Sequence, residues 1–296
     1  MVHVLLLRAL DRANRARVEG FLQRAHEVDG SSMNDQLRTD LASGPREGFV
    51  ATLALDDHGA AVGYAQASVG NEGHVVNCIV APDAGYARSP LLSELLAALP
   101  SDAPITWWTH DDSDAAPIAA ALGLTRGRSL LQMRCPLPPT GATDVATRPF
   151  VVGADEAAWI EVNNAAFAWH AEQGGWDVAA VQQREHEPWF RPDGFLLHER
   201  DGRLAAFCWT KLHTSADEAT VGEIYVIAVH PDFHGLGLGK ALTLAGLTWL
   251  HQAGAAEGML YVDAQNTGAV AMYHALDFHI THTDQAYSRP PGGLQP

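Results

Sequence analysis

Two stretches of the chain carry the same succession of apolar runs and polar breaks. Gly48-Phe49-Val50 opens an apolar run that stops at Asp56-Asp57-His58-Gly59, and Gly194-Phe195-Leu196 opens another that stops at Asp201-Gly202. Both breaks are hairpin signals. Val75–Val80 then runs into Ala81-Pro82-Asp83, as Ile224–Val229 runs into His230-Pro231-Asp232, with the two prolines 149 positions apart. Further on, Ala121-Leu122-Gly123-Leu124 echoes Ala275-Leu276-Asp277-Phe278 at a separation of 154. So small a drift argues for one fold used twice in tandem. Each copy predicts an initial helix, a hairpin, a strand, a helix, a strand, a helix and a last strand. In the second copy, Trp159, Val162, Ala166 and Phe167 give helical spacing over Asp155–Phe167, and Glu223–Val229 reads as a strand. Lys240–Gln252 has a helical apolar face, Leu260–Val262 is a short strand and Thr267–Leu276 another helix. Alternating strands and helices predict an α/β fold, with a mixed sheet and helices on its faces.

The length of 296 residues suits two domains. The proline-rich stretch CPLPPTGATDVATR, from Cys135 to Arg148, is the best linker. The predicted division is therefore a first domain over 1–137, a linker over 138–148 and a second domain over 149–296. With 47% apolar and 18% charged residues, each half has material for a core, and wholesale disorder is excluded. Lys and Arg number 19 against 35 Asp and Glu, a net charge of −16. That balance speaks against nucleic acid or an anionic membrane as partner and suits a soluble protein, including one with a cationic substrate. Cys78, Cys135 and Cys208 are odd in number and form no CxxC, so neither a disulfide framework nor a thiolate zinc site is expected, and a reducing cytoplasm is. The apolar run Val4–Leu7 is too short for a leader peptide core, and no run is long enough to span a membrane. The 15 histidines, His213 among them, form no HExxH, and no metal is expected. Trp107-Trp108 reads as core or cleft lining rather than a nucleic-acid platform. Two tandem halves already imitate a dimer, so a monomer is expected.

The chemistry concentrates in His230-Pro231-Asp232-Phe233-His234-Gly235-Leu236-Gly237-Leu238-Gly239-Lys240. Glycines 235, 237 and 239 fall between a strand and a helix. There the backbone can approach a ligand closely, amide N–H groups are free, and the helix dipole offers its positive end. Such a turn would bind pyrophosphate. No GK[ST] follows, so it is not a Walker A loop, and the glycine spacing does not fit GxGxxG.

These residues resemble the GNAT superfamily of acyl-CoA N-acyltransferases, whose turn signature is [RQ]xx-Gly-x-[Gly/Ala]; here His234 replaces the usual Gln or Arg. Its second signature resembles Asn266-Thr267-Gly268-Ala269-Val270-Ala271-Met272-Tyr273 running to Asp277-Phe278. Asp277 stands where Gly is usual, and Asp tolerates the left-handed conformation of a helix end. The strings Asn163-Asn164-Ala165-Ala166-Phe167, Glu172-Gln173-Gly174-Gly175-Trp176, Phe207-Cys208-Trp209-Thr210-Lys211 and Gly222-Glu223-Ile224-Tyr225-Val226 are similar to a tandem-domain branch of the superfamily. That branch acetylates the cysteinyl amine of a cysteine–glucosamine–inositol conjugate.

The resemblance implies two tandem GNAT domains and acetyl-CoA as co-substrate. Ile227, Ala228 and Val229 would offer backbone groups to the pantetheine amides. His234, Gly235, Leu236, Gly237, Leu238, Gly239 and Lys240 would hold the pyrophosphate. Asn266, Thr267, Gly268, Ala269, Val270 and Ala271 would contact the CoA arm. Amide formation needs a base for the amine proton and an acid for the departing thiolate. Glu223, on the strand leading into the turn, is the candidate base, and Tyr273 the candidate acid. For the acceptor the resemblance points to Glu172, Lys211, Glu223 and Tyr261, with Asp35 from the first half. Plainer roles stand beside these: a solvent-facing strand residue for Glu223, a half-buried helix aromatic for Tyr273, a helix N-cap for Asn266, a solvated charge for Lys211.

The first copy has Ala84-Gly85-Tyr86-Ala87-Arg88-Ser89-Pro90 in place of the glycine turn, His74 in place of Glu223 and Ala119 in place of Tyr273. It is expected to be non-catalytic, either keeping a CoA-like cleft beside Cys78, Ile79 and Val80 or serving as a wall of the substrate site. Two other activities remain open: a GNAT enzyme for another small amine or a protein N-terminus, and a silent acyl-CoA sensor. The intact Glu223, Gly237, Gly239, Asn266 and Tyr273 speak against silence.

Overall fold

The computed structural model describes residues 2–29, 41, 49–70, 73–110, 114–168, 175–214 and 219–290. In the first half the elements run β1 (His3–Leu7), α1 (Arg12–Asp29), β2 (Val50–Leu55), β3 (Ala61–Gly70), β4 (Gly73–Val80), α2 (Arg88–Ala97), β5 (Ile105–His110), α3 (Ala115–Ala121) and β6 (Thr125–Pro136). The second half continues with β7 (Arg148–Pro149), α4 (Glu156–Ala166), α5 (Val178–Glu185), β8 (Phe195–Arg200), β9 (Arg203–His213), β10 (Val221–Val229), α6 (Leu238–Gln252), β11 (Glu257–Asp263), α7 (Thr267–His274) and β12 (His279–Arg289). The succession predicted for each copy is present. The opening strands β1 and β7 and the helix α5, capped by Asp177 accepting from the Ala180 amide at 2.8 Å, add to it.

Two compact units result: Met1–Arg128 with Asp284–Pro296, and Ser129–Thr283. This division differs from the copy boundary read at 138–148. Leu130–Pro136 of β6 pairs with β11, and Asp284–Arg289 of β12 pairs with β5, so each copy's last strand is counted largely with the other copy's unit. In the first unit the strand order is β1-β2-β3-β4-β5 followed by that end of β12, with only β4–β5 parallel. In the second it is β6-β11-β10-β9-β8-β7, with only β10–β11 parallel.

The second unit buries both faces of its sheet. On one face α6 and α7 pack Leu242, Leu247, Leu250 and Tyr273, with Phe278 just after α7, against Ile224, Leu260 and Val262. Gly246 lets α6 close on the sheet, since a Cβ there would lie 2.5 Å from the Cys208 sulfur. On the other face α4 and α5 bring Trp159, Val162 and Val181 onto Phe195, Phe207 and Trp209, with Trp209 stacked on Phe195 at 4.3 Å. The turn between β8 and β9 holds Asp201 at φ 53° and Gly202 at φ 73°, the paired left-handed geometry of a tight hairpin. Asp277 reaches φ 64° at the end of α7, as its chemistry allows.

Candidate active site

β10 runs to Val229 and β11 to Asp263, but their pairing ends at Ile224↔Leu260. Beyond that point the strands part, and Tyr225–Val229 of β10 runs past the last β11 pair. On its other side β10 carries a register shift against β9 between Ile224 and Val226. This bulge sets Tyr225 and Val226 on one face in succession, both packed in the α4/α5 layer, and leaves Ile227 and Val229 on the α6/α7 face.

A cavity of about 520 Å³ opens on the parted edge. Ile227, Ala228, Val229, His234, Gly235, Gly237, Leu238, Gly239, Lys240, Asn266, Ala269 and Tyr273 line it, together with Phe233 and Met272, which sequence reasoning passed over. Of the predicted cofactor contacts, Leu236, Thr267, Gly268, Val270 and Ala271 belong to the same turn and helix but do not line the cavity. Gly235 at φ 79° and Gly237 at φ 74° shape the turn, and Gly237 caps α6. The amides of Leu238, Gly239 and Lys240 have no helical carbonyl ahead of them, so the first turn of α6 presents free donors and a positive dipole end. A Cβ on Gly235 or Gly237 would meet no protein atom within 4 Å. That open cradle fits a pyrophosphate. The His234 Nε2 contacts the Val229 carbonyl at 3.0 Å, tying the turn to the end of β10. Asn266 caps α7 by accepting from the Ala269 amide at 3.2 Å, and it also lines the cavity.

Glu223 is four residues upstream of Ile227, about 13 Å along the strand, and outside the cavity lining. Its register partners are Lys211 and Met259, which therefore share its face, and Tyr261 follows Met259 by two on that same face. Three of the acceptor-site candidates, Glu223, Lys211 and Tyr261, thus collect on one face. Glu223 and Lys211 are both buried, whereas Tyr261 is exposed. The Lys211 ammonium lies 4.7 Å from the Trp189 ring and 5.5 Å from the Tyr225 ring, within cation–π range of both. The Tyr261 hydroxyl accepts from the Gln132 amide at 2.8 Å, and the Gln132 carbonyl accepts from Thr281 at 3.0 Å. Glu223 Oε2 contacts His213 Nε2 at 2.7 Å. His213, Trp189 and Gln132 were not read from the sequence as part of a site. For His213 the signal is its spacing of two from Lys211 on one strand. Asp35 and Glu172 lie outside the described residues.

Tyr273 stands on the opposite face. Burial pushes its phenol well above the ordinary tyrosine range, with the Cys208 thiol adding to the shift, so the hydroxyl stays protonated.

In the first unit Cys78, Ile79 and Val80 also extend past the last β4–β5 pair, Asn77↔Trp108. The β3–β4 register has no shift, Gly85–Ala87 is a 3-10 turn, and Ala119 is buried in the core. Burial pushes the His74 imidazole below its ordinary range. Cys135 and Cys208 are buried free thiols, and Cys78 is half-buried. Among the described residues no three His, Cys, Asp or Glu gather as metal ligands, and no helix is long and apolar enough to cross a membrane.

The family model described as Acetyltransferase (GNAT) family matches residues 161–278. The chain is 42% identical over 283 residues to the mycothiol acetyltransferase of Streptomyces coelicolor, covering 91% of this chain and 90% of that one. It is 43% identical over 248 residues to the mycothiol acetyltransferase of Thermomonospora curvata, covering 81% and 82%. Among solved structures, a GCN5-related N-acetyltransferase from Sphaerobacter thermophilus aligns at TM-score 0.68 and 20% identity over 99% of this chain and 98% of that one. A tandem GNAT protein from the clavulanic acid biosynthesis pathway aligns at 0.67 and 14% over 100% of both. These two likenesses support the fold alone.

Proposed function

The chain belongs to the mycothiol acetyltransferase family, and from that premise we propose that it transfers the acetyl group of acetyl-CoA to the cysteinyl amine of a cysteine–glucosamine–inositol conjugate. It is an acyltransferase of GNAT fold. The observation that carries the reading is the parting of β10 and β11, with the glycine turn and cavity on one face and a buried carboxylate on the other.

In this reading the α6 amides and the open cradle at Gly235 and Gly237 hold the pyrophosphate, and the parted edge of β10 receives the pantetheine amides. The acceptor enters from the face of Glu223. An ammonium has no lone pair, so the Glu223 carboxylate takes the amine proton before or as nitrogen attacks the acetyl carbon. Tyr273, protonated on the cofactor face, donates to the sulfur as the thiolate leaves. A base and an acid on opposite faces cannot neutralise each other directly, and the gap lets both reach one acetyl group. Lys211 offers hydrogen bonds to sugar or inositol hydroxyls, and Tyr261, Glu172 and Asp35 complete the acceptor contacts. Cys78, Ile79 and Val80 remain the candidate CoA contacts of the first unit. We read the protein as a cytoplasmic monomer acting on small molecules, in keeping with three free cysteines, the tandem layout and its acidity.

The test is thiol release from acetyl-CoA with a panel of amines. The conjugate should give the highest kcat/KM, above simple amines, glucosamine and N-terminal peptides. A peptide or simple amine turned over better than the conjugate would transfer the reading to another GNAT substrate. No release with any amine, alongside tight acetyl-CoA binding, would favour a sensor.

A further inference from the structure

Glu223 needs more than burial to act as a base. A glutamate side chain has several rotatable bonds, and each of its oxygens can accept hydrogen bonds. An unrestrained carboxylate at the edge of a gap would sample poses from which the amine is out of reach, and misplacement by about 1 Å can cost about 100-fold in rate. His213 supplies the restraint. It ends β9, two residues after Lys211, and its register partner is Val221. It is therefore the diagonal neighbour of Glu223 on the same face, within side-chain reach. Its Nε2 lies 2.7 Å from Glu223 Oε2, the one hydrogen bond of that carboxylate among the described residues. The Glu223 side chain is 10% exposed and the imidazole 40% exposed, so the contact joins a buried acceptor to a ring at the rim.

We propose that His213 is a positioning residue for the reaction: its Nε2–H fixes Glu223 Oε2 and leaves Oε1 as the acceptor for the amine proton. The Nε2–H tautomer follows from the partner, because a carboxylate oxygen can only accept here. The proposal rests on Glu223 being the base, and its test separates the two. Lys211 and Tyr261 share this face with Glu223.

The experiment is a double-mutant cycle in the full-length enzyme, with the conjugate as acceptor and acetyl-CoA saturating. His213→Leu should lower kcat/KM for the amine about 10- to 100-fold and leave acetyl-CoA affinity unchanged. His213→Gln, which keeps an N–H at comparable reach, should restore most of the loss. In a Glu223→Gln background His213→Leu should change the rate by less than about twofold, because a residue acting through Glu223 has nothing left to position. A His213→Leu enzyme with wild-type turnover overturns the proposal. So does one that loses as much again in the Glu223→Gln background, which would mark a structural role. Wild-type turnover in Glu223→Gln alone would instead remove the base assignment beneath it.

Discussion

Replacing Gly237 by Val isolates the glycine turn from the rest of the enzyme. Gly237 has φ 74°, and a Cβ there meets no protein atom within 4 Å. The cost without cofactor is therefore backbone strain and not a clash, about 1–2 kcal/mol for a left-handed non-glycine residue. In a unit of this size that lowers Tm by about 2–8 °C. The cost with cofactor is larger. The added side chain fills the proposed cradle, and relaxation of the strain turns the α6 amides away. Losing two amide bonds to a charged group, at about 1.5–3 kcal/mol each, weakens acetyl-CoA binding about 100-fold or more. Gly239→Ala is the control. Its methyl would lie 3.6 Å from the Met272 sulfur, an ordinary contact, in the first turn of a helix. It should hold or raise Tm, by up to about 1 kcal/mol of helix propensity, and keep acetyl-CoA affinity. Titration calorimetry with acetyl-CoA and a thermal melt on each variant give both quantities. A folded Gly237→Val protein with wild-type affinity would refute the assignment of the turn.

Tyr273→Phe removes one hydroxyl from the cavity wall and should lower kcat about 10²–10⁴-fold with acetyl-CoA affinity kept; an unchanged kcat would take the acid role from it. His74→Ala and Ala119→Ser in the first unit should leave kcat of the folded enzyme near wild type, and a loss as large as that of Glu223→Gln would move catalysis out of the second unit alone. Burial pushes Cys135 up to about 12 and Cys208 up as well, so a disulfide reagent at pH 8 should label Cys78 first and the other two only on unfolding. The raised Tyr64, Tyr273 and Cys208 groups favour their protonated forms in the folded chain. Their contribution is full below the unfolded values and is lost at higher pH, so Tm should begin to fall above about pH 8.5, through Cys208, and fall further above about pH 10, through the tyrosines.

Much of this was legible in the sequence because the chain repeats itself. The hairpin at Asp201-Gly202, the strand into His230-Pro231-Asp232 and the glycine turn each follow from local chemistry, and the second copy confirms the periodicity. Strand partners did not follow: nothing in the apolar pattern of β6 or β12 says which sheet completes each strand. β1 escaped because its five residues, His-Val-Leu-Leu-Leu, give a short apolar run whose burial does not alternate. Glu223 and Tyr273 could be named as candidates from the sequence, but not their placement on opposite faces of the sheet, which depends on strand register and helix packing. His213 was hidden among many histidines until strand register placed it beside Glu223.

The central proposal is that the base lies off the cofactor cavity, across the gap between β10 and β11. The most direct measurement pairs acetyl transfer to the cysteinyl conjugate with acetyl-CoA affinity, for the wild type and Glu223→Gln. The account predicts that kcat/KM for the amine falls about 10²–10⁴-fold while the Kd of acetyl-CoA stays unchanged. Turnover of Glu223→Gln at the wild-type rate, or a loss of acetyl-CoA binding that matches the loss of rate, would contradict it.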